Sequence, residues 1–130
     1  MTRINCVPVE ELSNAHLLAE YREITRISKL ARPLESYGEY RLGEGHVKFF
    51  YNKGGYLRQR TADLYYECKH RNLQVKRKVY QAHEKSTILH PLNEGWMPTQ
   101  EAMTINRRRI AERIAANPTK HVWKTLERKK

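Results

Sequence analysis

The chain has 130 residues, with 25 Lys plus Arg against 14 Asp plus Glu and a net charge of +11 at pH 7. That size suits one compact domain over residues 1–130, and 39% hydrophobic with 30% charged residues describes a globular chain rather than a disordered tail. No window approaches the roughly 18 apolar residues of a membrane helix, and the start, MTRINCVPVEEL, lacks a signal-peptide core, so the chain is expected to stay in the cytoplasm.

A basic domain of this size points to a polyanionic partner. Nucleic acid fits better than an anionic membrane, because no long amphipathic helix carries Trp or Phe on its apolar side. A merely solvated basic surface gives the same charge. The two cysteines, Cys6 and Cys68, form no CxxC pair and read as reduced thiols. The six histidines are scattered without HxxxH or HExxH spacing, and Asp63 is the sole aspartate. No metal and no cofactor are expected.

The N-terminus comes first in chain order. Thr2 is small, and methionine before a small residue is usually removed. The new terminus would be a threonine amine, with a pKa near 7.7 to 8.0 against about 10.4 for lysine. A useful fraction is neutral at pH 7 and can attack a sugar carbon. Arg3 beside it would lower the pKa further. An ordinary exposed chain end has the same sequence.

The spacing predicts a helix from about Ser13 to Ala31, capped by Ser13 or Asn14 and ended by Arg32-Pro33. Leu17, Tyr21, Ile24, Ile27 and Ala31 share one arc, and Arg22, Glu23, Arg26 and Lys29 lie opposite. His16 borders that polar face. Glu20 falls within the apolar arc, so it needs a buried partner. A carboxylate at Glu23 between Arg22 and Arg26 stays ionised, can shuttle protons and can stabilise a cationic sugar, while the arginines hold phosphates. A salt-bridged solvated helix shows the same pattern.

Gly43-Glu44-Gly45-His46 reads as a turn before the aromatic run Phe49-Phe50-Tyr51. A second helix is predicted from about Gly55 to Arg71, with Leu57, Thr61, Leu64, Tyr65 and Cys68 in helical spacing and Asn72 as its stop. Residues 73 to 98 read as irregular. A third helix, capped by Thr99 and closed before Asn117-Pro118, runs from about Thr99 to Ala116, with Met103, Ile110 and Ile114 as its apolar stripe. Arg109 and Arg113, one turn apart, share a face. The fold class is therefore all-α: about three main helices with long irregular connections around one core.

The run MTRIN, then Glu11-Leu12, His16-Leu17, the AEYRE of Ala19 to Glu23, and Arg26 closely resembles the start of the pyrimidine-dimer DNA glycosylases of T-even phages. GEGHVKFFYNK, from Gly43 to Lys53, is similar to that family's Gly-x-Gly-His-Val-x-Phe-Phe-Tyr-x-Lys segment, and YLRQR and Glu67-Cys68 continue the likeness. Arg109 to Pro118 resembles it more loosely.

The resemblance implies an all-α, metal-independent enzyme of bacterial or phage origin that repairs damaged duplex DNA as a monomer beside the nucleoid. It implies that the Thr2 amine attacks C1′ of the damaged nucleotide, with an imine and β-elimination following. Glu23 is the implied catalytic carboxylate. Arg3, His16, Arg22, Arg26, Arg109 and Arg113 are the implied DNA-binding residues. The family kinks its duplex and flips out a base.

Two departures stand out. The chain is shorter between Ala31 and Gly43, and of the family's aromatic tail only Trp123 remains. Base stacking is worth about 1 to 3 kcal/mol per aromatic, so that loss could redirect lesion choice; Trp96 is either a replacement or a core residue. Three readings stay open: a dimer-specific enzyme, the same chemistry on another damaged base, or a non-catalytic DNA-binding relative. Thr2 and Glu23 argue against the last.

Overall fold

The structure, a computed structural model, describes residues 4–27, 34–43, 45–78 and 95–117. Among these residues there is no strand; four helices and two 3-10 turns carry an all-α fold. The chain enters through Pro8, whose ring fixes φ near −52° and leads into a 3-10 turn over Val9–Glu11. Helix α1 covers Asn14–Glu23, α2 His46–Phe49, α3 Gly54–His70 and α4 Gln100–Ala116.

Ser13 caps α1: its hydroxyl accepts the His16 N–H at 3.2 Å, matching one of the orphan donors of the first turn. The predicted apolar arc is buried at Leu17, Tyr21, Ile24 and Ile27. The helix is interrupted rather than continuous: α1 ends at Glu23, tightens into a 3-10 turn over Ile24–Arg26, and is helical again at Ile27. The β-branched Ile24, Thr25 and Ile27 lose χ1 freedom in an α-helix, which favours such a local tightening. The expected continuation over 28–31 lies outside the described residues.

Gly43 and Gly45 adopt φ of +76° and +87°, the left-handed region that favours glycine. At Gly45 a Cβ would also sit 3.3 Å from the Arg41 side chain. The turn expected at Gly43–His46 therefore ends in a helix start, with His46 opening α2. Helix α3 closes at Asn72, which takes φ +61° as the predicted stop. Helix α3 packs against α1 and both 3-10 turns, burying Leu57, Leu64 and Cys68 against Leu17, Tyr21 and Ile24.

A second part of the core is aromatic. Trp96 stacks on Tyr40 with centroids 5.9 Å apart and packs edge-on against Phe49, Phe50 and Tyr56. Such pairs add to the area they bury. Trp96 is thus a half-buried residue packed against the core that anchors the approach to α4, and its ring is committed to that packing.

Helix α4 is capped by Thr99, which accepts the Ala102 N–H at 3.0 Å. Its expected stripe of Met103, Ile110 and Ile114 is only half-buried; the fully covered positions are Ala102 and Asn106. The reason is that α4 docks on backbone. Asn106 Oδ1 accepts the N–H groups of Cys6 and Val7 at 2.7 and 3.2 Å, and its Nδ2 donates to Asn5 Oδ1 at 2.7 Å.

One buried ion pair, and the hydrogen bonds of a second pair's arginine, tie the N-terminal third to α3. Glu20 meets Arg60 at 2.8 Å, with side chains 1% and 6% exposed. This is the partner that its place in the apolar arc demanded. Arg71 is fully buried, pairs with Glu67 at 2.8 Å, and donates to Asn14 Oδ1 and to the carbonyls of Val9 and Glu10. Cys6 and Cys68 are buried free thiols, as expected. Burial pushes both up to about 11, so neither supplies a thiolate at neutral pH.

Candidate active site

The site begins with the segment Ile4–Val7. Asn5 donates from Nδ2 to Glu20 Oε1 at 2.8 Å, so the first described residues lie against α1. Arg60 uses its fork twice: Nε and Nη2 donate to the Glu20 carboxylate, and Nη1 donates to the Val7 carbonyl at 2.6 Å. A bidentate guanidinium is suited to this because its donors lie in one rigid plane. The pairing holds Arg60 charged, mainly through the Glu20 carboxylate working against burial.

Beside this segment lies a cleft of about 560 Å³. One wall is the outer face of α1, with His16, Ala19, Arg22 and Glu23. The other is the end of α4, with Arg109, Ile110, Arg113 and Asn117. Asn5 and Glu20 also line it. Three guanidinium groups and an imidazole thus converge around one accessible carboxylate. The Nε of Arg109 is buried without a hydrogen-bond partner among the described residues. An anion in the cleft would supply that acceptor, which a buried donor needs.

Glu23 is half-buried, and its Oε1 pairs with Arg26 Nη1 at 3.1 Å; Arg26 itself is 66% exposed on the solvent side. Arg26 therefore joins the cleft through Glu23. Of the residues singled out in the sequence, His16, Arg22, Glu23, Arg109 and Arg113 come together here. Thr2 and Arg3 lie outside the described residues.

A second groove, of about 310 Å³, shares Leu18 and Arg22 with the cleft and adds Tyr21, Val75, Lys76 and Lys78. Tyr21 fixes that edge: its hydroxyl donates to the Lys76 carbonyl at 2.6 Å and accepts the Lys78 N–H at 2.8 Å. Arg77 lies over the rings of Tyr65 and Tyr66. Positive charge thus runs from the cleft across Arg22 to a rigidly held basic segment. Sequence reasoning had treated this segment only as irregular. Its Val-Lys-Arg-Lys run was the available signal.

Sequence reasoning also missed Asn106 and gave His46 no role. Asn106 sits between Met103 and Ile110 at helical spacing, a polar residue in an apolar stripe, which is the same signal that exposed Glu20. Among the described residues, no three His, Cys, Asp or Glu side chains are grouped as a metal site. No described helix is long and apolar enough to cross a membrane.

An all-α scaffold with a cation-lined groove around a carboxylate has the charge and shape to handle a nucleic-acid strand. The chain belongs to the pyrimidine dimer DNA glycosylase family, whose model matches residues 1–81. It is accordingly a DNA glycosylase of the repair class, and DNA is its substrate. The match ends before α4. Arg109 and Arg113 are joined to the matched part by geometry, through the cleft they share with Glu23.

Proposed function

We propose that this protein excises ultraviolet-induced pyrimidine dimers as a monomer and then cuts the strand at the resulting abasic site. The observation that carries the reading is the convergence of His16, Arg22, Glu23, Arg109 and Arg113 on one cleft that also contains Asn5. Asn5 is three residues from Thr2, and three residues span at most about 11 Å. A nucleophile at the start of the chain is therefore within reach of the cleft.

The chemistry follows from those groups. With Met1 removed, the neutral Thr2 amine attacks C1′ of the damaged nucleotide. The bond from C1′ to the base nitrogen breaks, and the base leaves with its electron pair and takes up a proton. Loss of the amine proton and opening of the sugar ring give the C1′ imine. A base then removes a proton from C2′, the C3′–O bond breaks, and the 3′ phosphate leaves. Water hydrolyses the imine and frees the enzyme. Glu23 serves as the acid–base group and stabilises the cationic sugar. Arg22, Arg26, Arg109 and Arg113, with Arg3 and His16, hold the phosphates on both sides.

A second reading keeps this chemistry on another damaged base. It is favoured by the commitment of Trp96 to the core, which leaves the aromatic-poor tail uncompensated. Incision of ultraviolet-irradiated duplex, compared with incision of a duplex holding a ready-made abasic site, separates the two. Cutting of both supports dimer repair; cutting of the abasic duplex alone supports the second reading; cutting of neither rejects both.

The DNA face has its own test. Arg26→Ala removes one exposed guanidinium, so the slope of log affinity against log salt is expected to fall by about 0.9. An unchanged slope would remove Arg26 from the phosphate contacts.

A further inference from the structure

The backbone of Ile4–Val7 is held by side chains from distant parts of the chain. The Ile4 N–H donates to His46 Nε2 at 2.8 Å, and the Ile4 carbonyl accepts from Tyr40 at 3.4 Å. The Asn5 carbonyl accepts from Tyr56 at 3.1 Å. The Cys6 and Val7 N–H groups are taken by Asn106, and the Val7 carbonyl by Arg60. The His46 bond lies nearest the start of the chain.

That bond fixes the chemical state of His46. An amide N–H is only a donor, so Nε2 must accept and carries no proton. On the other side of the ring, Nδ1 lies 2.8 Å from the Arg41 carbonyl, which is only an acceptor, so Nδ1 must donate. The two partners select one neutral tautomer. The ring is 2% exposed and wedged edge-on against Tyr40 and Phe50. Proton uptake would set Nε2–H against Ile4 N–H, two donors facing each other in a buried site.

We infer that neutral His46 is a positioning residue: it sets the backbone direction at Ile4 and thereby the place from which the N-terminal amine reaches the cleft. This rests on the imine reading above. The positional tolerance of such an attack is narrow, which is why a group remote from the chemistry can matter.

The ionisable groups around this pocket come from several elements. Tyr40 faces the ring from the preceding segment, and near Tyr40 lie Cys6, Tyr56 and Glu20 with its partner Arg60. Burial raises the Tyr40 and Tyr56 phenols and the Cys6 thiol above their ordinary ranges, so none of the three ionises at neutral pH.

The test is single-turnover borohydride trapping on an abasic duplex at pH 7.5, using Met-free wild type, His46→Ala, His46→Leu and His46→Gln. Affinity for an uncleavable abasic-analogue duplex is measured beside it. His46→Ala is expected to slow trapping about 10- to 100-fold at pH 7.5 with affinity little changed. Gln offers an acceptor to Ile4 and a donor to Arg41 without titrating, so it should recover most of the rate.

A variant that keeps bulk but lacks an acceptor gives a second readout. His46→Leu fills the space beside Tyr40 and Phe50 and offers Ile4 N–H nothing, so it should trap as slowly as His46→Ala while His46→Gln stays near wild type. If His46→Ala fails to fold, this comparison decides alone. Wild-type rate in His46→Ala, or equal rates in His46→Leu and His46→Gln, would overturn the positioning role. A wild type that traps nothing would instead sink the imine reading itself.

Discussion

Glu23→Gln is expected to lower strand cleavage by about 10²- to 10⁴-fold, the usual contribution of a positioned acid–base group, while DNA affinity stays near wild type. The glutamine keeps the size of the side chain and a hydrogen-bond acceptor for Arg26, which now pairs with the Glu23 carboxylate at 3.1 Å. It loses the negative charge that would stabilise a cationic sugar and the ability to carry a proton. Removing a carboxylate from a groove proposed to hold phosphates is not expected to weaken that binding. Cleavage and affinity should therefore separate. Cleavage near the wild-type rate in Glu23→Gln would reject the assignment.

The largest effect on stability is expected at Glu20. Glu20→Ala leaves the Arg60 guanidinium, 6% exposed, without its carboxylate. Removing one partner of a buried ion pair costs about 3 to 5 kcal/mol, because the remaining charge stays desolvated. Arg60 also supports the Val7 carbonyl, and Glu20 supports Asn5, so the loss should loosen the segment nearest the cleft as well. Replacing both partners by apolar residues, Glu20→Leu with Arg60→Met, should recover a good part of the loss. Urea unfolding of Glu20→Ala, Glu20→Leu, Arg60→Met and the Glu20→Leu/Arg60→Met double variant checks this. Equal stability of Glu20→Ala and wild type, or a double variant worse than the sum of the singles, would contradict the account.

The elements that were legible in the sequence are those whose signals are local. The Ser13 and Thr99 caps, the Asn72 stop and the buried arc of Leu17, Tyr21, Ile24 and Ile27 depend on neighbours within a turn or two. The demand for a partner at Glu20 was also visible, since a carboxylate in an apolar arc cannot be left alone. Its identity was not, because Arg60 is 40 positions away. The same holds for Asn106, whose partners Cys6 and Val7 are about a hundred positions distant. The break at Ile24–Arg26 was not visible, because periodicity continues through a 3-10 turn of three residues almost unchanged. Arg109 and Arg113 could be seen to share a face; that this face meets Arg22 and Glu23 is a property of the packing alone.

The central claim is that the reaction runs through an amine at the start of the chain. Borohydride reduction of the Met-free protein on an abasic duplex, followed by protease digestion and mass spectrometry of the adduct, tests it most directly. One covalent product is expected, with the sugar mass on the N-terminal peptide and on the Thr2 nitrogen. An adduct on a lysine, or none while the strand is still cut, would contradict it.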